Sequence, residues 1–119
     1  MPTQQNLREL TPAEVHAAMQ RNAIVLIDVR EPAEYATDRI NGALLCPLST
    51  FDPSSLPVGP RAIVLHCGSG KRSATAVAKC IAADIAVTTH MAGGIAAWKQ
   101  AGLPTVAASA AGGPTAAPR

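Results

Sequence analysis

Two apolar runs constrain what this chain can fold into. Ala23-Ile-Val-Leu-Ile-Asp-Val-Arg30 and Ala62-Ile-Val-Leu-His-Cys67 are rich in branched residues and lack the polar–apolar alternation of a half-exposed strand. Such runs predict strands covered on both faces, as in a parallel sheet with helices on either side. The intervening segments supply those helices. Thr11-Pro12-Ala13-Glu14 reads as a helix start, with Thr at the N-cap, Pro at the first helical position and Glu completing a capping box, and the helix should run to about Gln20. Glu31-Pro32-Ala33-Glu34-Tyr35 predicts one or two further helical turns. Ala43-Leu-Leu-Cys46 predicts a short strand ended by Pro47, and Ser49 to Pro60 a long connection with a turn of helix.

Beyond Cys67 a glycine-rich loop leads into a helix. Ala74, Val77, Ala78, Ile81 and Ile85 are spaced to form its apolar face, with Cys80 beside it. Val87 to Met91 predicts a last strand, Gly93-Gly94 a break, and Ile95 to Ala101 a short helix carrying Trp98 and ending at Gly102. Strands alternating with helices give an α/β fold, a small parallel β-sheet flanked by helices on both faces. Sites in such sheets form beyond the C-terminal strand ends, where Cys67 lies.

At 119 residues and 48% hydrophobic, the chain fits one domain with one core, here residues 7–106. Residues 107–119 are small side chains, glycine and proline and are expected to form a disordered tail. A formal net charge of +2, with one Trp, one Tyr and one Phe, argues against a nucleic-acid partner. The N-terminus lacks a basic segment followed by an apolar run, and no apolar stretch approaches the roughly 18 residues of a membrane span. Cys46, Cys67 and Cys80 are odd in number and widely spaced, which indicates neither a disulfide framework nor a zinc site. A soluble, cytoplasmic protein without membrane partner or metal is the expectation.

The chemistry concentrates in Cys67-Gly-Ser-Gly-Lys-Arg-Ser73. A thiol between a strand end and a helix start faces open backbone N–H groups and the positive end of the helix dipole, and Lys71 and Arg72 add full charge. Each effect favours thiolate, so Cys67 reads as a nucleophile and Gly68 to Ser73 as its anion cradle. Nucleotide readings of the loop fail on spacing. An ATP-binding P-loop would need glycine where Leu65 stands and Ser or Thr where Arg72 stands, and a dinucleotide fingerprint would need glycine at Ser73. Cys46 and Cys80 lack such surroundings and read as packing residues. His66 should point away from the thiol, since strand neighbours face opposite sides. His90 ends a strand and is open to either a surface role or an approach to the site. Asp28 and Arg30, beside Glu31, read as a structural ion-pair and hydrogen-bond cluster.

Three blocks together resemble the single-domain rhodanese family of sulfurtransferases: Leu26-Ile-Asp-Val-Arg-Glu-Pro-Ala-Glu-Tyr35 with Ile40-Asn-Gly-Ala43, the loop Cys67 to Ser73, and Met91-Ala-Gly-Gly-Ile-Ala-Ala-Trp98 with Gly102-Leu-Pro104. The resemblance implies a cysteine that takes a sulfane sulfur from a donor, holds it as a persulfide and passes it on, with no separate cofactor. It makes Cys67 the carrier and Gly68, Ser69, Gly70, Lys71, Arg72 and Ser73 the substrate-binding loop. Its partners would be a small anionic sulfur donor and, as acceptor, cyanide, a low-molecular-weight thiol or a thiol protein; Cys67-Gly-Ser-Gly70 is similar to loops of mercaptopyruvate-using relatives, whereas Lys71-Arg-Ser73 resembles the thiosulfate-using forms and its two cations favour thiosulfate. One departure stands out: Asp38-Arg39 replaces the family's usual Gly-His, which bears on local packing or on an edge of the substrate entrance. Two alternatives are set against this reading. Phosphatases and arsenate reductases of similar fold carry one more residue between cysteine and arginine, whereas Cys67 to Arg72 is the shorter form; a non-catalytic rhodanese-like interaction module would lack the cysteine.

Overall fold

The computed structural model describes residues 7–107. Five strands form one all-parallel sheet in the order β1-β6-β5-β2-β4: β1 (Arg8–Leu10), β2 (Ile24–Asp28), β4 (Leu44–Leu45), β5 (Ala62–His66) and β6 (Thr89–Met91). The two apolar runs supply β2 and β5, which pair along their whole length from Ile24 opposite Ala62 to Asp28 opposite His66. A separate antiparallel ribbon joins β3 (Asp38–Arg39) to β7 (Val106–Ala107). Helices α1 (Pro12–Gln20), α2 (Pro32–Thr37), α3 (Lys71–Ala82) and α4 (Gly94–Gln100) lie between the strands, and two 3₁₀ turns, at Leu48–Thr50 and Pro53–Ser55, occupy the long connection.

Strand geometry sends alternate residues to opposite faces, and the core divides accordingly. Ile27, Ile63 and Leu65 pack with Ala76, Val77 and Cys80 of α3, while Leu26 and Val64 pack with Val15 of α1 and with Ile95 and Trp98 of α4. Each face is thus sealed by a helix, which is why β2 and β5 can dispense with polar alternation. The predicted α1 start is observed in full: Thr11 Oγ1 accepts from the Glu14 N–H at 3.1 Å, and the Glu14 carboxylate accepts from the Thr11 N–H at 2.8 Å.

Three sequence expectations need correction. The buried face of α3 is Ser73, Ala76, Val77 and Cys80, whereas Ala78 and Ile81 of the expected stripe are exposed. The helix phase is set at its first turn, where Ser73 is held inward against Cys67, so Cys80 sits at the centre of the face rather than beside it. Small residues there let the helix lie close to the sheet. The strand over Val87–Met91 shortens to Thr89–Met91, with Val87 buried ahead of it, and it is not the last: β7 follows. β1 was not expected, because three residues carry no periodicity. Ala107, the first residue of the expected tail, pairs with Asp38 in β7, and the remainder of that tail lies outside the described residues. Among the described residues no helix is long and apolar enough to cross a membrane.

Candidate active site

The C-terminal ends of β2, β5 and β6 converge on the loop that joins β5 to α3. Cys67 leaves the end of β5, and the chain turns back over its sulfur before α3 begins at Lys71, with Gly70 as the N-cap. Cys67 is 1% exposed, so the sulfur lies at the floor of the cradle. The Gly70 N–H donates to Sγ at 3.0 Å, and the thiol is 3.5 Å from Ser73 Oγ. Burial pushes the thiol up, but the Ser73 hydroxyl and the backbone N–H groups of Ser73, Gly70 and Ser69 outweigh it, leaving Cys67 below the ordinary thiol value. The other cysteines have only the first effect. Burial raises Cys46, and it pushes Cys80 up to about 11.

The cradle is held from outside by α4. The Ile95 N–H donates to the Cys67 carbonyl at 2.8 Å and the Ala96 N–H to the Gly68 carbonyl at 3.1 Å. Gly94 is pressed against the same loop: a Cβ on it would stand 2.4 Å from the Cys67 carbonyl oxygen. The Gly93-Gly94 pair, read from sequence as a strand break, is therefore also the contact that lets a helix start abut the nucleophile's backbone.

All the sequence-predicted loop residues, Cys67 to Ser73, come together, with their charges differently arranged. Arg72 gives its fork to Glu34 of α2, with Nη1 and Nη2 donating at 2.7 and 3.0 Å. Its guanidinium lies over the loop, with Nη2 3.0 Å from where a Gly68 Cβ would stand. The Arg72 hydrogen bond holds the Glu34 carboxyl at about 2, and that carboxylate in turn raises Arg72. Lys71 is exposed and takes part in none of the ion pairs among the described residues. Sequence reasoning missed Glu34 as a neighbour of the loop, because its helical position also makes it the capping acid of α2, where it accepts from the Glu31 N–H at 2.9 Å.

His66 is fully buried and faces away from the sulfur: its Nδ1–H donates to the Cys67 carbonyl at 3.1 Å, and burial holds the ring neutral. His90 is brought to the site, its Nδ1 lying 2.7 Å from Ser73 Oγ and its Nε2 2.9 Å from the Glu9 carboxylate. Asp28 and Arg30 form the expected structural cluster, in which Arg30 donates to both Asp28 oxygens and, at 2.7 Å, to the Asp38 carbonyl. Of the Asp38-Arg39 departure, Asp38 joins that cluster and Arg39 lies against Tyr35. Asp38 pairs with Lys99, which holds its carboxyl low, and Arg39 lies 5.0 Å from the Tyr35 ring centre.

A cavity of about 480 Å³ opens elsewhere, at the N-terminal ends of the strands, between His16, Ile24, Leu44, Arg61 and Trp98. It touches no cradle residue, so the chemistry follows the cradle and not this hollow. Among the described residues no group of three or more His, Cys, Asp or Glu is placed to hold a metal ion.

Residues 11–101 match the Rhodanese-like domain family. The chain is 41% identical over 105 residues to an uncharacterized protein of Synechocystis sp., covering 87% of this chain and 58% of that protein. It is 37% identical over 86 residues to a sulfurtransferase of Allochromatium vinosum, covering 71% of this chain and 79% of the relative. A probable adenylyltransferase/sulfurtransferase of Mycobacterium tuberculosis is 37% identical over 94 residues, and there the match spans 24% of a longer protein. Among solved structures, a thiosulfate sulfurtransferase from Pseudomonas aeruginosa superposes with a TM-score of 0.73 at 26% identity, over 94% of this chain and 22% of that one. A rhodanese-related protein from Thermoplasma volcanium gives 0.72 at 26% identity, over 83% of this chain and 97% of that one.

Proposed function

This chain belongs to the rhodanese-like domain family, and from that premise we propose that it is a sulfurtransferase carrying sulfane sulfur on Cys67, with thiosulfate as donor and cyanide or a thiol as acceptor. The observation that carries the reading is the Cys67 sulfur set among backbone N–H groups, with Gly70 N at 3.0 Å, at the start of a twelve-residue helix. The Cys67 thiolate attacks the outer sulfur of thiosulfate; the S–S bond breaks and sulfite leaves with its electron pair. Cys67 then bears a persulfide, whose negative terminal sulfur takes over the hydrogen bonds that stabilised the thiolate. In the second step cyanide or a thiolate attacks that terminal sulfur, departs as thiocyanate or as a persulfide, and restores the Cys67 thiolate.

Lys71, exposed at the mouth, supplies a point charge that draws the dianion in. Arg72 supplies a planar fork once the donor displaces Glu34 from it. The test is thiocyanate release from thiosulfate and cyanide, together with intact and peptide mass spectrometry after thiosulfate alone. Wild type should release thiocyanate and carry one added sulfur on the Cys67 peptide. Cys67→Ser should do neither, while Cys46→Ser and Cys80→Ser retain most activity. Substantial turnover by Cys67→Ser, or added sulfur mainly on Cys80, sinks the assignment.

A further inference from the structure

One chain of contacts around Cys67 reaches beyond the loop. Ser73 Oγ lies 3.5 Å from Cys67 Sγ and 2.7 Å from His90 Nδ1, and His90 Nε2 lies 2.9 Å from Glu9 Oε2. Ser73 is fully buried and His90 is 2% exposed, whereas Glu9 on β1 reaches solvent. Parallel pairing of β1 with β6 sets Glu9 directly opposite His90, and the packing of α3 on the sheet brings Ser73 onto the same imidazole.

We propose that Glu9 and His90 act through Ser73 as a proton relay that ionises and orients the Cys67 nucleophile. The proposal rests on the reading of Cys67 as nucleophile and adds positioning residues to it. A carboxylate only accepts hydrogen bonds, so His90 Nε2 carries a proton, and in the neutral imidazole with which the relay starts Nδ1 is the acceptor. Ser73 then donates to Nδ1, and its oxygen lone pairs are left to accept from the Cys67 thiol. The Gly70 carbonyl, 3.2 Å from Ser73 Oγ, competes for the same hydroxyl proton from the longer distance.

In the ionising step the Cys67 S–H bond breaks with both electrons kept on sulfur. That proton passes to Ser73 Oγ as the original hydroxyl proton moves to His90 Nδ1. Charge is conserved, a neutral thiol and a neutral imidazole becoming thiolate and imidazolium, and nothing is oxidised or reduced. Every contact survives in reverse: Nδ1–H donates to Oγ, Oγ–H donates to the thiolate, and Glu9 holds the imidazolium by a charge-assisted bond. Glu9 from β1 is the titratable group hydrogen-bonded to His90 among the described residues, α3 contributes the Ser73 hydroxyl, and Cys67 from the end of β5 is reached through that hydroxyl.

The test is the pH dependence of Cys67 alkylation by iodoacetamide, resolved by peptide mass spectrometry, in wild type, His90→Gln and Glu9→Gln. Glutamine at 90 can still accept from Ser73 but cannot take its proton. The relay predicts that His90→Gln moves the Cys67 titration upward, slowing alkylation at neutral pH by about tenfold, while the high-pH plateau, where the thiol is ionised regardless, stays within about twofold of wild type. Glu9→Gln, a change at an exposed carboxylate, should move the profile in the same direction by less. A purely structural role would lower the melting temperature and leave the profile in place. Superposition of either variant's profile on that of wild type overturns the relay, and Glu9→Gln alone decides it should His90→Gln fail to fold. Alkylation needs no sulfur donor, so this failure is distinct from an absence of thiocyanate release, which would instead count against sulfur transfer.

Discussion

Gly94→Ala tests whether the close seat of α4 on the Cys67 loop holds the cradle in place. Gly94 has φ +62°, and an added Cβ would lie 2.4 Å from the Cys67 carbonyl oxygen and 2.6 Å from both the carbon and oxygen of the Gly68 carbonyl. These are backbone atoms that cannot swing aside. Bringing the methyl to an ordinary separation of roughly 3.5 Å requires α4 and the loop to part by about 1 Å. The two bonds that cross this seam, Ile95 N–H to the Cys67 carbonyl at 2.8 Å and Ala96 N–H to the Gly68 carbonyl at 3.1 Å, would then be stretched past useful length. Losing them costs about 1 kcal/mol each, and a left-handed alanine adds about 1 kcal/mol more. A total near 3 kcal/mol is a large share of a domain's stability and corresponds to a fall in Tm of roughly 12–24 °C.

The control is Gly102→Ala. Gly102 has φ +77° with open space where its Cβ would go, so it should lose only the conformational component, about 1 kcal/mol. Urea titration and thermal unfolding give the two stabilities. Thiocyanate release gives the second readout, because moving the cradle N–H groups by about 1 Å should lower kcat/KM by around a hundredfold in Gly94→Ala and leave Gly102→Ala near wild type. If Gly94→Ala is no less stable than Gly102→Ala and retains its activity, the account of this seam is wrong.

Iodoacetamide at neutral pH should label Cys67 well before Cys46 or Cys80, since the cradle lowers the first thiol and burial raises the other two; peptide mapping over a time course reads the order. Arg72→Lys keeps charge but not the fork, so KM for thiosulfate should rise for both Arg72→Lys and Arg72→Ala, and unchanged turnover by Arg72→Ala at low ionic strength would remove Arg72 from donor binding. Glu34→Gln frees that fork and should lower KM for thiosulfate. Because the Glu34 carboxyl sits at about 2 when folded, below its ordinary 4.5, its contribution to stability is present above pH 4.5 and lost as pH falls through about 2. The pair is partly exposed, so urea titrations should find wild type more stable than Glu34→Gln by less than about 1 kcal/mol at pH 7, with the gap narrowing as pH falls from 4.5 through about 2. Thr11→Ala removes a cap that bonds the Glu14 N–H and should cost about 1 kcal/mol in the same measurement.

The parts of the fold legible in the sequence are those whose signal is local. The runs that became β2 and β5 announce two-sided burial by composition alone, and the α1 start is written in four consecutive residues. What was not legible depends on neighbours distant in the chain. β1 is three residues long, and its partner β6 lies across the whole domain; β7 exists because β3 offers it an edge. The α3 stripe was misplaced for a related reason. Counting apolar residues favours Ile81, but the phase of a helix that grows out of a tight loop is fixed where it leaves the loop, and there a buried serine outranks an isoleucine further along.

The candidate site divides along the same line. The loop from Cys67 to Ser73 is contiguous, so its glycines, charges and helix start can be read together. Its outer partners cannot, because Glu34 meets Arg72 across 38 residues and Glu9 meets His90 across 81. Sheet order is what closes these gaps: β1 and β6, the first and last strands of the parallel sheet in sequence, are neighbours in it, so the opening of the chain is laid against the strand that precedes the Gly93-Gly94 turn. A carboxylate at position 9 thereby becomes part of the surroundings of a thiol at position 67. This is why Glu9 looks like any solvated acid in the sequence and yet, through His90 and Ser73, stands three hydrogen bonds from the nucleophile.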